Sequence, residues 1–239
     1  MQERLDHLPA RLRHQAVFLS TYRRTTLAVG DAVRDGSFED PDWVQRWDVD
    51  FAELYLSALD HEVADDSGVP RPWRLAFGAA ADLPPLRHVL LGINAHVNFD
   101  LPQALLAVIS DADFADPSLV ARRRRDHERI DAVLSSRVAA EGDELAGPNG
   151  LSLFDRVMLP LNRLGSKRFL REARQKVWHN TLELRDARAA GPQQFAVRLA
   201  ELEVLTAAKI VDLLRPGQVI VNLAVAGFGV TLPPPADPA

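Results

Sequence analysis

The chain has 239 residues, 47% hydrophobic and 26% charged, with a formal net charge of −5 and no cysteine. That balance suits a globular protein rather than a disordered one, and gives no general attraction for nucleic acid or an anionic membrane. The missing cysteines exclude a disulfide scaffold, a thiolate metal site and a cysteine nucleophile. The charged start, Met1 to His7, leads into no apolar run, and no stretch approaches the roughly 18 apolar residues of a bilayer span. The chain therefore reads as cytoplasmic, with no membrane partner.

Helical periodicity dominates from the beginning. Leu12 to Val33 carries Val17, Phe18, Tyr22, Leu27 and Val29 as a core-facing stripe, ended by Asp35-Gly36-Ser37. Asp40-Pro41 has the form of a cap followed by proline at the first helical position, opening a short helix with Trp43, Val44 and Trp47 inside. Asp50 is placed to cap the next helix, which buries Phe51, Leu54, Tyr55, Ala58 and Leu59 and stops in the loop Ala64 to Gly68. A short element follows around Trp73 and Phe77. Pro84-Pro85 opens a further helix that Pro102 kinks or ends, and Leu101 to Ile109 continues as a second apolar helix.

Helices then follow over about Ser118 to Glu141, Leu151 to Leu161, Lys167 to Arg188 and Gln193 to Leu214, broken by the Gly147 to Gly150 turn and stopped by Arg215-Pro216-Gly217. Gln218 to Val230 is the one strand-like run, without a partner run, so it reads as an extended or helical segment packed on the bundle. The expected fold is all-α: one domain over residues 1–232, a bundle of about seven to nine helices around a buried central helix, with a proline-rich tail at 233–239.

The segment Leu86 to Leu101 is apolar at nearly every angular position, which implies burial on all sides. It nonetheless holds His88, Asn94, His96, Asn98 and Asp100. Each buried polar side chain costs about 1–3 kcal/mol if unpaired, and a carboxylate more. These groups must therefore satisfy one another, a metal, a ligand or water. His96 and Asp100, four apart, share a face; Gly92 precedes them and would leave space beside them, and Asn94 and Asn98 form a second pair nearly opposite. A His and an Asp at this spacing suit metal ligation, or an acid–base pair in which the carboxylate orients the imidazole. Asp100 also fits an N-cap, two residues before Pro102 and three before Gln103. The whole cluster equally fits a polar network that fixes one packing.

Other candidates lie elsewhere. Asp60-His61-Glu62 offers metal-capable side chains at a helix end, with a solvated end as the plain alternative. His179 follows Trp178, with Arg174 and Arg171 one and two turns earlier, and Trp178 also reads as core. Tyr22 and Thr25, with Thr26, put hydroxyls near the inward face of the first long helix, where Tyr22 also reads as core. The run Arg122 to Arg125 reads as a salt-bridged solvated face, given Asp126 and Glu128. There is no glycine-rich phosphate loop, no Gly-x-Ser-x-Gly elbow and no His-Glu-x-x-His, and no nucleotide or organic cofactor is indicated.

The run Leu90-Leu91-Gly92-Ile93-Asn94-Ala95-His96 through Asp100-Leu101, with Phe51 to Tyr55 before it and the Arg171 to Trp178 helix after it, resembles a bacterial, largely actinobacterial, helical family of unknown function. The resemblance implies a fold and a recurrent motif over Ala16 to Leu184, not an activity. His96 and Asp100 are also similar to the His-x-x-x-Asp element of the zinc-dependent phospholipase C and P1-type nuclease superfamily. That family's further histidine has no equivalent near Leu105 and Leu106, so this second resemblance does not carry over a trinuclear zinc site and leaves a mono- or dinuclear one open.

The leading expectation is a metal-dependent hydrolase of a small ester or phosphoester. His96 and Asp100 would ligate a divalent metal, zinc first, with His88, Asp60, His61 or His179 completing the shell. Asn94 and Asn98 would assist catalysis, and Tyr22, Tyr55, Arg174 and Trp178 would hold a small-molecule substrate. The alternatives are a metal-free acid–base enzyme on a small apolar substrate, an isomerase, cyclase or lyase, and a non-catalytic helical binding module.

Overall fold

The computed structural model describes residues 1–144, 166–215 and 227–235. Among these the protein is all-α, with no strand. The elements are α1 (Gln2–Asp6), a 3-10 turn (Ala10–Gln15), α2 (Ala16–Arg34), α3 (Pro41–Ala64), α4 (Arg71–Phe77), α5 (Pro85–Ala95), a π turn (His96–Asp100), α6 (Leu101–Val108), α7 (Asp111–Phe114), α8 (Pro117–Glu144), α9 (Ser166–Ala190) and α10 (Pro192–Leu214). The expected helix at Leu151 to Leu161 lies outside the described residues, as do 218–226 of the strand-like run. No helix among the described residues is long and apolar enough to cross a membrane.

Local chemistry explains where α3 begins and why it is longer than the sequence suggested. The Asp40 side chain accepts the Trp43 N–H at 3.0 Å, and Pro41 occupies the first turn. Asp50 caps nothing. The stripe of Trp43, Val44, Trp47, Phe51, Tyr55, Ala58 and Leu59 continues through it, and burying that stripe holds one helix of 24 residues together. The helix ends at Asp65 in the left-handed region, φ 58°.

The central helix is α5, the π turn and α6 taken together. It is surrounded: α2, α4 and α10 pack on α5, α3 and α10 on the π turn, and α3 and α9 on α6. Pro102 does not end it. Proline has no N–H to give the carbonyl four residues back, and its ring crowds that carbonyl. The turn widens instead, and the Leu101 N–H reaches back to the His96 carbonyl. Gln103 Nε2 donates to the Phe99 carbonyl at 2.8 Å, satisfying an acceptor in the widened turn. Asp100 stands at the residue before α6 in helical conformation, but its carboxylate makes no capping bond to the start of α6.

Two polar devices tie the bundle together. Asp126, fully buried on α8, accepts the backbone N–H groups of Glu39 and Asp40, both at 2.8 Å, and so fixes the α2–α3 connection. The arginine run is ion-paired as expected, but largely across to that connection: Arg125 to Glu39 at 2.9 Å and Arg123 to Asp40. The second device holds residues 227–235, which run extended without forming a strand. Asn98 Nδ2 donates to the Phe228 carbonyl at 3.1 Å, and its Oδ1 accepts the Val230 N–H at 3.2 Å. Asn180 does the same for the Val230 carbonyl and the Leu232 N–H, at 3.0 and 2.9 Å. Two side-chain amides thus stand in for a neighbouring strand, and Arg198 holds the Pro233 carbonyl at 2.7 Å.

Asn98→Ala should therefore cost about 2 kcal/mol of unfolding free energy in urea, because it strips partners from two backbone groups of the C-terminal segment. Amide exchange at Val230 should rise at the same time. Unchanged protection there would contradict this account of the strap.

Candidate functional site

The site begins with the widened turn, whose two ends are His96 and Asp100. Their side chains meet, Nδ1 to Oδ2 at 2.8 Å, and both are buried, 3% and 2% exposed. Trp73 of α4 donates its indole N–H to the same Oδ2 at 2.8 Å. Indole nitrogen only donates, so Oδ2 is an acceptor. A carboxylate taking one N–H from Trp73 and one from His96 Nδ1 satisfies both contacts, and it leaves Nε2 of His96 with a bare lone pair. That nitrogen is buried and has no hydrogen-bond partner. Burial pushes the pKa of His96 down, with Asp100 opposing, and it pushes that of Asp100 up, with His96 and Trp73 opposing.

Aromatic rings enclose the imidazole. Phe51 stacks flat on it, centroids 3.5 Å apart and planes 5° apart, and Tyr22 meets it edge-on at 4.5 Å. Tyr55 and Trp73 stand at 5.9 Å. The space expected beside Gly92 is taken by Phe18: a Cβ on Gly92 would lie 2.5 Å from that ring. Glycine here permits ring packing rather than leaving room. The hydroxyls of Tyr22 and Tyr55 are buried without a direct hydrogen bond. Burial raises both phenol pKa values, with the charges of Asp48 and Asp100 adding to the effect at Tyr22.

Asp48 was missed by sequence reading. It lies on the face of α3 that carries Phe51, Ala52 and Tyr55, at helical spacing i, i+3, i+4 and i+7. It makes no hydrogen bond or ion pair among the described residues, and burial pushes its pKa up to about 7. A single Asp between Trp47 and Val49 carries no motif; only its register with Tyr55 could have flagged it.

Several expected contributors lie elsewhere. Asn94 and Asn98 face away from the dyad: Asn94 donates to the Leu90 carbonyl at 3.0 Å, and Asn98 donates to Asn94 Oδ1 at 3.1 Å and pins the strap. Their amides are spent on structure. Asp60 forms a surface ion pair with Arg4 at 2.6 Å, and His61 pairs with Asp66 at 2.8 Å. His179 bonds the Leu232 carbonyl at 3.2 Å, and His88 packs on the ring of His14 at 4.8 Å. Among the described residues no three His, Asp or Glu side chains converge as metal ligands. Of the expected ligands only Asp100 meets His96; Asp60, His61, His88 and His179 lie against other groups, so these residues do not assemble the expected shell. The Trp178 ring centroid lies 5.9 Å from that of His127 of α8, a further buried histidine, which sequence reading missed. Arg174 acts electrostatically on His127. The Arg171 side chain lies outside the described residues.

A protein family described as "Family of unknown function (DUF5995)" matches residues 1–216. No curated protein and no solved structure matches the chain.

The state of Asp48 yields a stability prediction. Its pKa is raised on folding, so the unfolded chain releases the proton first as pH rises. The stability this proton provides is whole below about pH 4, the ordinary carboxylate value, and is lost between there and about pH 7. Asp48→Asn should raise Tm at pH 8 by several degrees and leave it nearly unchanged at pH 4. An equal shift at both pH values would show that burial does not perturb this carboxyl.

Proposed function

The chain belongs to this family of unknown function, and we propose that it is a metal-free acid–base enzyme acting on a small, largely apolar substrate, with His96 Nε2 as the base. One observation carries the reading: a buried imidazole whose Nδ1 is fixed by a carboxylate and whose Nε2 has no partner. A histidine needed only for packing would be stable with both nitrogens satisfied. Here the carboxylate sets the tautomer and stands ready to stabilise the imidazolium formed when Nε2 takes a proton. Trp73 holds the carboxylate in place, and the surrounding rings keep water from the lone pair.

The two pKa values are shifted in opposite directions from their ordinary values, in the sense that acid–base work requires. His96 is lowered, so it is the free base at neutral pH. Asp48 is raised to about 7, so it is partly protonated there and is the group that returns a proton. Tyr22 lies between them electrostatically, under the charges of both Asp48 and Asp100. An isomerase or lyase, which moves a proton without adding water, matches this equipment.

The test uses 5-nitrobenzisoxazole, a small planar molecule whose ring opens when a base removes one carbon-bound proton. The wild type should open it faster than free imidazole at equal concentration. The rate should rise with pH and level off below the ordinary histidine value of about 6.5, because only unprotonated His96 reacts and its pKa is lowered. His96→Gln should lose about a hundredfold or more, and Asp100→Asn a smaller part. A folded His96→Gln variant with undiminished rate would refute the assignment. Stability loss alone, with no rate to lose, would favour a structural network.

A further inference from the structure

The C-terminal segment lies in a groove that is built to hold a backbone. Asn98 of the π turn clasps the Phe228 carbonyl and the Val230 N–H. Asn180 of α9 clasps the Val230 carbonyl and the Leu232 N–H, two residues further on. Between and beyond these clasps, Lys176 donates to the Gly229 carbonyl at 3.4 Å, and His179 bonds the Leu232 carbonyl at 3.2 Å. Arg198 of α10 closes the row on the Pro233 carbonyl at 2.7 Å. A side-chain amide carries both a donor and an acceptor, so each clasp meets an extended chain as a neighbouring strand would.

The groove also selects side chains, at the two-residue period of an extended chain. Phe228 and Leu232 are buried, 7% and 1% exposed, and Thr231 points to solvent. Val230 and Leu232 pack with Phe99, Leu184 and Leu202 in an apolar cluster of their own. At Gly229 the groove is narrow: a Cβ there would lie 2.7 Å from Lys176 Cδ and 3.5 Å from the Ala173 Cα. Pro233 gives up no bond, since only its carbonyl is held, and it biases Leu232 toward extended backbone. The residues that hold the segment, Asn98, Lys176, His179, Asn180 and Arg198, all lie within residues 1–216, which the family covers, and the segment they hold lies outside them. The groove thus belongs to the family's domain, and this chain brings its own occupant.

We infer that this groove is a docking site for an extended peptide segment of a partner protein, with the strap as a tethered occupant that the partner's segment displaces. The segment it takes is apolar at alternate positions, with glycine after the first apolar residue and proline after the last. A tether of a few residues holds an occupant at an effective concentration on the order of millimolar, so an incoming segment must bind more tightly than the strap. The inference stands apart from the acid–base reading.

The probe is a labelled synthetic peptide with the sequence of residues 227–235. Its host is the full chain carrying Val230→Asp and Leu232→Asp, which set charges against the apolar cluster and leave every groove residue in place. The host should bind the peptide saturably and gain Tm, and the wild type, its groove filled, should bind about tenfold more weakly or worse. Adding Asn180→Ala to the host should weaken binding by about tenfold or more, because one clasp is lost. A peptide with Thr231 and Leu232 exchanged turns its leucine outward and should bind as poorly. Should the host not fold alone, the peptide should restore its helical circular dichroism and the exchanged peptide should not. A folded host that ignores the peptide, an unfolded host that the peptide does not restore, equal binding by the wild type, equal binding of the exchanged peptide, or binding undiminished by Asn180→Ala would each overturn the inference. Wild-type dimers abolished by Leu232→Asp would make a second copy the occupant and overturn the assignment to a partner.

Discussion

Asp100 is a carboxylate taken out of water, and the surrounding architecture answers to that. Removing such a charge from solvent carries a penalty of several kcal/mol even after relaxation, and only good hydrogen bonds recover it. Two N–H donors converge on Oδ2, one from Trp73 on α4 and one from His96 a turn away on the same helix. Each donor is fixed by packing: Trp73 lies against Tyr55 and Phe77, and His96 lies under Phe51. The charge therefore specifies how α3, α4 and the central helix meet. The geometry that satisfies it also commits Nδ1 and frees Nε2.

The central helix divides its polar groups by face. His96 and Asp100 look toward α2, α3 and α4, while Asn94 and Asn98 look toward the C-terminal segment. The widened turn between them follows from Pro102, whose missing N–H would otherwise leave a hole in the ladder. One helix therefore carries a chemical face and a structural face, and the strap is held by residues on the structural one.

How much could be read from sequence depended on whether a signal was local. Asp40-Pro41 marked the start of α3, Pro84-Pro85 that of the central helix, and the apolar run from Leu86 to Leu101 its burial. The spacing of His96 and Asp100 brought their side chains together as helix geometry requires. Asn94 and Asn98 were visible as a buried pair, but the backbone groups that Asn98 holds lie more than a hundred residues away, which no spacing reports. Trp73 looked like any core aromatic, because a tryptophan inside a bundle gives no hint that its N–H meets a carboxylate. Asp48 between Trp47 and Val49, and His127 inside the charged run Arg122 to Arg129, sit in amphipathic helices, where such residues look like surface. Asp60 and His61 drew attention by adjacency alone, and consecutive helix positions point about 100° apart.

The central claim concerns one nitrogen, so the direct test observes it. Long-range nitrogen–proton correlation NMR of the neutral-pH protein reports which imidazole nitrogen of His96 carries hydrogen. The account predicts a protonated Nδ1 and an unprotonated Nε2, a pattern that Asp100→Asn should weaken. A hydrogen on Nε2 at neutral pH, whether as the other tautomer or as an imidazolium, would contradict it.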